Sequence, residues 1–212
     1  MKQIYNYIRQ ITLNLTLGGK KATIIGHSWG GTLAMAFAAK FPEFVTQLIL
    51  ISPGLFKIDS VLKQTFYDNR TVHLCQDQIL ELNDYLLKDG NMRLNEYDSI
   101  RKLDLFNRQY IYEKSNCDTI LAKINLAKNN EKTSLLLTSD MIKRNLDLTS
   151  SIKRFAKPIT VITGRQDPLS FNSYELKIIK PSIHIYWISR CGHYPMFEQP
   201  SLLISLISKL LN

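Results

Sequence analysis

The residues best suited to covalent chemistry lie in one glycine-rich stretch, residues 26–31, with the sequence GHSWGG. It fits the pattern Gly-x-Ser-x-Gly, in which the hydroxyl of the central residue, Ser28, can act as a nucleophile if a base removes its proton. The small neighbours Gly26 and Gly30 permit the sharp turn that such a serine requires. An ordinary tight turn can carry the same pattern, so its meaning depends on the flanking elements.

The segments on either side of Ser28 predict a strand, a turn and a helix. Ala22–Ile25 is short, apolar and rich in β-branched residues, which predicts a buried parallel strand paired on both edges. Residues 32–40 are rich in alanine and predict a helix. Ser28 would then stand at the positive end of that helix, where developing negative charge is favoured. This context favours the interpretation of Ser28 as a nucleophile over the interpretation of residues 26–31 as an ordinary tight turn.

A serine nucleophile needs a base and a group that orients the base, and both are expected on loops that follow strands. His193 follows the last predicted strand, residues 183–188, and Asp167 follows the strand predicted at 158–164. The alternatives are a surface histidine and a turn-forming Asp-Pro pair. The chain order Ser28, Asp167, His193 is the one expected where the nucleophile lies on a strand–turn–helix motif.

The remaining pattern predicts an α/β fold with a mostly parallel sheet flanked by helices. Residues 2–15 predict an amphipathic helix, 48–51 a second buried strand and 200–211 a closing helix. Residues 56–150 have no comparable strand, and their periodicity predicts helices at 77–88, 94–112 and 119–128. A further helix is predicted at 171–179, after the strand at 158–164. We therefore predict a core of residues 1–55 and 151–212, with a helical cap, residues 56–150, inserted after the second strand.

Composition excludes several other classes of protein. The net charge of +9 is scattered rather than concentrated in a basic tract, so nucleic acid is not an expected partner. The sequence has neither an apolar run long enough for a bilayer nor a signal peptide, which predicts no membrane partner and a cytoplasmic location. The three cysteines have no metal-binding spacing and fit free thiols in a reducing compartment.

Three segments together resemble the α/β-hydrolase family, and within it the cap-bearing, prolyl-aminopeptidase-like serine hydrolases: 26–34 (GHSWGGTLA), 164–167 (GRQD) and 192–200 (GHYPMFEQP). The resemblance implies a catalytic triad in which Ser28 is the nucleophile, His193 the general base and Asp167 its partner. It further implies that the backbone N–H of Trp29 donates to the oxyanion. No cofactor and no metal are implied. The expected substrate is a small molecule or peptide with an ester, amide or N-terminal peptide bond.

The sequence departs from this family at its start, because the family begins with several strands before the nucleophile strand. A loop among those strands supplies a second oxyanion N–H, and only residues 1–21 precede the strand here. We therefore expect that the N-terminal strands are lacking, that one edge of the Ala22–Ile25 strand has no partner, and that a missing N-terminal segment or a complementing chain completes the site. The alternative function is a truncated, hydrolysis-poor relative that binds a small ligand. Glu96 and Glu113 could hold a substrate amine, or they could be ordinary surface carboxylates.

Overall fold

The computed structural model describes residues 21–91, 93, 95–126, 136 and 139–212. The helix predicted at residues 2–15 lies outside these residues. Two compact units are present. The sheet unit draws its described residues from Met1–Lys63, Asn129–Thr163 and Leu169–Trp187, and the helical unit from Gln64–Lys128, Gly164–Pro168 and Ile188–Asn212. The unit boundaries differ from the predicted core and cap, and that division stays a prediction.

Four strands form one sheet in the order β1-β2-β3-β4: β1 (Ala22–His27), β2 (Val45–Ile51), β3 (Ile159–Gly164) and β4 (His184–Ile188). β1 pairs in parallel with β2, and β2 pairs in parallel with β3. Helices separate the strands along the chain: α1 (Trp29–Lys40), α6 (Thr149–Arg154) and α7 (Ser170–Ile179). This arrangement confirms the predicted α/β class, and the strand positions agree with the predicted apolar runs to within a few residues.

Burial across the sheet follows the position of each strand. Every residue of β3 is buried, as expected for an apolar strand between two neighbours. β1 is only partly buried, and Ile25 is 43% exposed. Among the residues that the structure describes, no strand pairs with the outer edge of β1. The composition of this strand suits pairing on both edges, but one edge was expected to lack a partner, and the described sheet pairs β1 on one edge.

The helical unit is built from α2 (Ser60–Thr71, whose first turn belongs to the sheet unit), α3 (Gln76–Gly90), α4 (Glu96–Arg108), α5 (Cys117–Leu126), α8 (Pro195–Glu198) and α9 (Pro200–Leu211). α3 and α4 pack through a small apolar cluster that includes Leu82 and Leu105. Within the described ranges, no helix is both long and apolar enough to cross a membrane.

Candidate active site

Ser28 occupies the sharp turn that joins β1 to α1. Its backbone angles are φ 52° and ψ −122°, so a residue with a side chain adopts a conformation that normally favours glycine. Such a conformation costs on the order of 1–3 kcal/mol and persists only where surrounding contacts enforce it. The strained residue lies between the end of β1 and the first residue of α1.

Backbone hydrogen bonds from the neighbouring strand and loop hold this turn. The Ser28 N–H donates to the Ile51 carbonyl oxygen at 3.0 Å, where β2 ends. The Ser28 carbonyl oxygen accepts from the N–H groups of Gly31, at 2.9 Å, and Gly54, at 2.8 Å. Trp29 is the first residue of α1, so its N–H has no acceptor inside the helix. That N–H is the predicted oxyanion donor.

Replacing Gly26 with alanine is expected to destabilise the sheet unit. A Cβ at Gly26 would lie 2.3 Å from the carbonyl oxygen of Gly30, which is rigid backbone. We expect Gly26→Ala to lower the free energy of unfolding by on the order of 1–3 kcal/mol in urea denaturation. Gly30→Ala is the matched control, because a Cβ there meets no atom within 4 Å and alanine favours the helix. Equal stability of the two variants would contradict this packing.

Asp167 and His193 form a buried pair in the helical unit. The His193 Nδ1 lies 3.1 Å from Oδ1 and 3.0 Å from Oδ2 of Asp167, and the two residues are 3% and 2% exposed. The carboxylate accepts a hydrogen bond from Nδ1–H, which fixes the tautomer of the ring and leaves Nε2 as the nitrogen that can take up a proton. The structure thus brings two of the predicted residues together, while Ser28 belongs to the sheet unit.

The loop that carries Asp167 is held on both sides of that residue. The Gln166 N–H donates to the Cys191 carbonyl oxygen, and its side-chain Oε1 accepts from the Cys191 N–H, both at 3.1 Å. His73, just after α2, contacts the Gln166 carbonyl oxygen through Nε2 at 2.7 Å, and Asn69 donates to the Pro168 carbonyl oxygen at 3.3 Å. These bonds join the Asp167 loop to the His193 loop and to α2.

The loop that carries His193 is held by Glu198 and by the segment after α4. Glu198 accepts hydrogen bonds from the N–H groups of Gly192, at 2.9 Å, and Tyr112, at 2.8 Å. The His193 N–H donates to the Tyr110 carbonyl oxygen at 2.7 Å, and the two rings lie 5.0 Å apart. Burial raises the pKa of Glu198, against the effect of these backbone donors. Glu198 therefore holds the loop that carries His193 through these backbone N–H groups.

The stability of the helical unit should depend on pH through His73. Burial lowers the pKa of His73 below its ordinary value of 6.5, although its bond to Gln166 opposes this effect. The unfolded chain therefore takes up the proton first as the pH falls. The contribution of His73 is complete above about pH 6.5 and decreases as the pH falls toward the folded-state pKa.

We accordingly expect the melting temperature of the native chain to fall more between about pH 7.5 and 5.5 than that of His73→Gln, in which an amide N–H can still donate to Gln166. His184→Gln is the control, because His184 is exposed. If the melting temperatures of all three proteins change with pH in parallel, His73 is not responsible for the pH dependence of stability.

Other predicted residues lie elsewhere in the helical unit. Glu96 is exposed at the start of α4, and Glu113 is half-buried and accepts a hydrogen bond from Ser115. The cysteines are not paired in disulfides: Cys75 is exposed, whereas Cys117 and Cys191 are buried. In the described part of the chain, no group of three or more His, Cys, Asp or Glu side chains could hold a metal ion.

Comparison with known proteins shows which family and which proteins this chain resembles. The profile of a family described as the alpha/beta hydrolase fold matches residues 2–200. A putative 2-succinyl-6-hydroxy-2,4-cyclohexadiene-1-carboxylate synthase of Bacillus subtilis (strain 168) is 27% identical over 197 residues, which cover 90% of this chain and 66% of the relative. A proline iminopeptidase of Saccharolobus solfataricus is 22% identical over 205 residues, covering 92% and 63%. The chain thus spans less than two thirds of the length of these curated relatives.

Among solved structures, an alpha/beta fold family hydrolase from Bacillus anthracis str. Sterne superposes with a TM-score of 0.68. The sequences are 15% identical, and the match covers 97% of this chain and 73% of that one. At this identity the likeness concerns the fold, and it agrees with the parallel sheet and flanking helices described above.

Proposed function

The chain belongs to the alpha/beta hydrolase fold family, and from that premise we propose that it is a serine hydrolase acting on a small substrate. The bond that it cleaves is an ester, an amide or an N-terminal peptide bond. Ser28 is the nucleophile, His193 the general base and Asp167 the residue that orients the base. The observation that carries this proposal is the strained Ser28 turn, because φ 52° at a serine between a strand and a helix serves to present the hydroxyl.

In the proposed reaction the Ser28 Oγ attacks the substrate carbonyl carbon while Nε2 of His193 takes the hydroxyl proton. The Trp29 N–H stabilises the oxyanion of the tetrahedral intermediate. Collapse of the intermediate expels the leaving group with the proton from His193 and leaves an acyl-enzyme. Water then attacks the acyl carbon, again with His193 as the base, and releases the acid and the free serine. Asp167 stabilises the imidazolium that forms in each step, and no metal or cofactor is required.

Two further observations support the proposal. The His193–Asp167 pair has the hydrogen bonds expected of a base and its orienting group, and it is almost fully buried. Along the chain, Ser28 follows β1, Asp167 follows β3 and His193 follows β4, which is the order of the triad in this family.

We also propose a cytoplasmic location, which the unpaired cysteines favour.

A second candidate function is a hydrolysis-poor protein that binds a small ligand. It is retained because Trp29 is the one oxyanion donor identified among the described residues, whereas enzymes of this kind use two. Loss of one donor costs about 10²–10³-fold in rate. The two candidates differ in whether Ser28 is chemically activated.

The test is turnover of p-nitrophenyl acetate and of proline p-nitroanilide by the purified chain. We expect hydrolysis that requires Ser28 and that is unchanged by EDTA, because the proposed reaction uses no metal. Release of nitrophenol or nitroaniline at the same rate by native chain and Ser28→Ala would refute the proposed enzyme. Saturable binding of either compound without Ser28-dependent turnover would support the second candidate.

A further inference from the structure

Arg70, near the end of α2, carries a buried positive charge for which no carboxylate is provided among the described residues. Arg70 is 5% exposed, and it forms no ion pair within the ranges that the structure describes. Its Nε and Nη1 atoms are fully buried and have no hydrogen-bond acceptor. An unpaired buried charge is costly, so proteins normally provide an acceptor for each such donor.

Three aromatic rings enclose the guanidinium group. Its central carbon lies 4.2 Å from the centroid of Phe106, 4.7 Å from that of Tyr67 and 5.0 Å from that of Phe66. The ring faces attract the charge, but they do not accept the in-plane hydrogen bonds of the guanidinium. The rings therefore hold the cation in place but provide no acceptor for its Nε and Nη1 donors. The planar fork of arginine matches a carboxylate in a bidentate geometry.

The cage lies beside the proposed base, within the same unit. The Tyr110 ring is 6.2 Å from Phe66 and 5.8 Å from Phe106, and it is 5.0 Å from the ring of His193. Burial raises the pKa of Tyr110 to about 12, although the charge of Arg70 and a side-chain hydrogen bond with Arg70 act in the opposite direction. Tyr110 therefore stays neutral at physiological pH and supplies no counter-charge to Arg70.

We propose that Arg70 is the binding site for a carboxylate group of the substrate. This inference rests on the proposed function, and it narrows the substrate class to small esters or amides whose acyl part carries a carboxylate. A guanidinium at this position would repel the ammonium group of an N-terminal residue, so it disfavours an aminopeptidase substrate. Tyr67, one of the three rings of the cage, is 43% exposed.

The test compares two aryl esters of similar acyl length, mono-p-nitrophenyl succinate and p-nitrophenyl butyrate. The native chain is expected to prefer the succinate ester in kcat/KM. Arg70→Gln should reduce that preference about 10- to 100-fold through KM, with a much smaller change for the butyrate ester. Arg70→Lys, which keeps the charge without the fork, should restore part of the preference. Arg93→Gln removes one exposed positive charge and is the matched control.

A structural role for Arg70 would lower the rates for both esters together and leave their ratio unchanged, and that result would overturn the proposal. If the native chain hydrolyses neither ester, the proposed function fails, and calorimetric binding of hexanoate and hexanamide decides the role of Arg70 separately. Tighter binding of hexanoate by the native chain, lost in Arg70→Gln, would support the carboxylate site. Equal binding of the two compounds, or equal binding by the two proteins, would refute it.

Discussion

Ser28→Ala is expected to reduce ester turnover by a factor on the order of 10⁶ while leaving the fold unchanged. The substitution removes only the hydroxyl that the proposed reaction uses as its nucleophile. The backbone bonds of this residue to Ile51, Gly31 and Gly54 involve main-chain atoms and are available to alanine. The measurement is the rate of p-nitrophenyl acetate hydrolysis, together with the melting temperature of each protein.

The control for this substitution is Ser201→Ala, which removes an exposed hydroxyl at the start of α9. It should retain the native rate. Turnover by Ser28→Ala that equals turnover by Ser201→Ala would exclude Ser28 as the nucleophile. Loss of turnover together with loss of a cooperative melting transition would instead mean that the hydroxyl is needed for the fold, which contradicts the backbone bonding described for the turn.

Asp167→Asn is expected to lower kcat about 10⁴-fold with little change in the size of the buried side chain. The carboxylate lies 3.0–3.1 Å from Nδ1 of His193 and accepts its hydrogen bond. An amide at this position can present N–H to the ring, which favours the wrong tautomer and leaves the imidazolium without a counter-charge. Asp77→Asn, at an exposed position in the first turn of α3, is the control and should keep the native rate. A loss of less than tenfold in Asp167→Asn would contradict the orienting role.

Much of the sheet could be predicted because its strands are short apolar runs bounded by turn residues. β3 lies within one residue of the predicted range. α2 was not predicted, because Ser60–Thr71 mixes polar, apolar and aromatic residues without a clear helical period. The helix predicted at 94–112 is α4, which begins after Asn95 and ends at Arg108. There the Asn95 side chain accepts from the Asp98 N–H at 2.8 Å and sets the start of the helix.

The candidate site, like the fold, could be predicted from the sequence only in part. Ser28, Asp167 and His193 could be singled out because each follows a strand in a local pattern that carries chemical meaning. Gln166 and His73 could not, because their bonds join segments that are far apart in the sequence and leave no local signal. Glu198 lay within the recognised segment 192–200, but its role depends on the approach of Tyr112 and Gly192.

The position of β1 was expected from the family pattern rather than from its own residues. An apolar, β-branched strand has the same composition whether one edge or both edges are paired. The strand order agrees with the expectation that one edge of this strand lacks a partner, and Ile25 is 43% exposed.

The most direct test of the proposed activated serine is reaction of the purified chain with a fluorophosphonate probe, followed by mapping of the modified peptide by mass spectrometry. The probe modifies a serine only when a base has activated its hydroxyl. We expect one adduct, on Ser28, that is absent in Ser28→Ala and strongly slowed in His193→Ala and Asp167→Asn. Failure of the folded chain to react, or an adduct on another serine that persists in Ser28→Ala, would contradict the proposal that Ser28 is the nucleophile of a serine hydrolase.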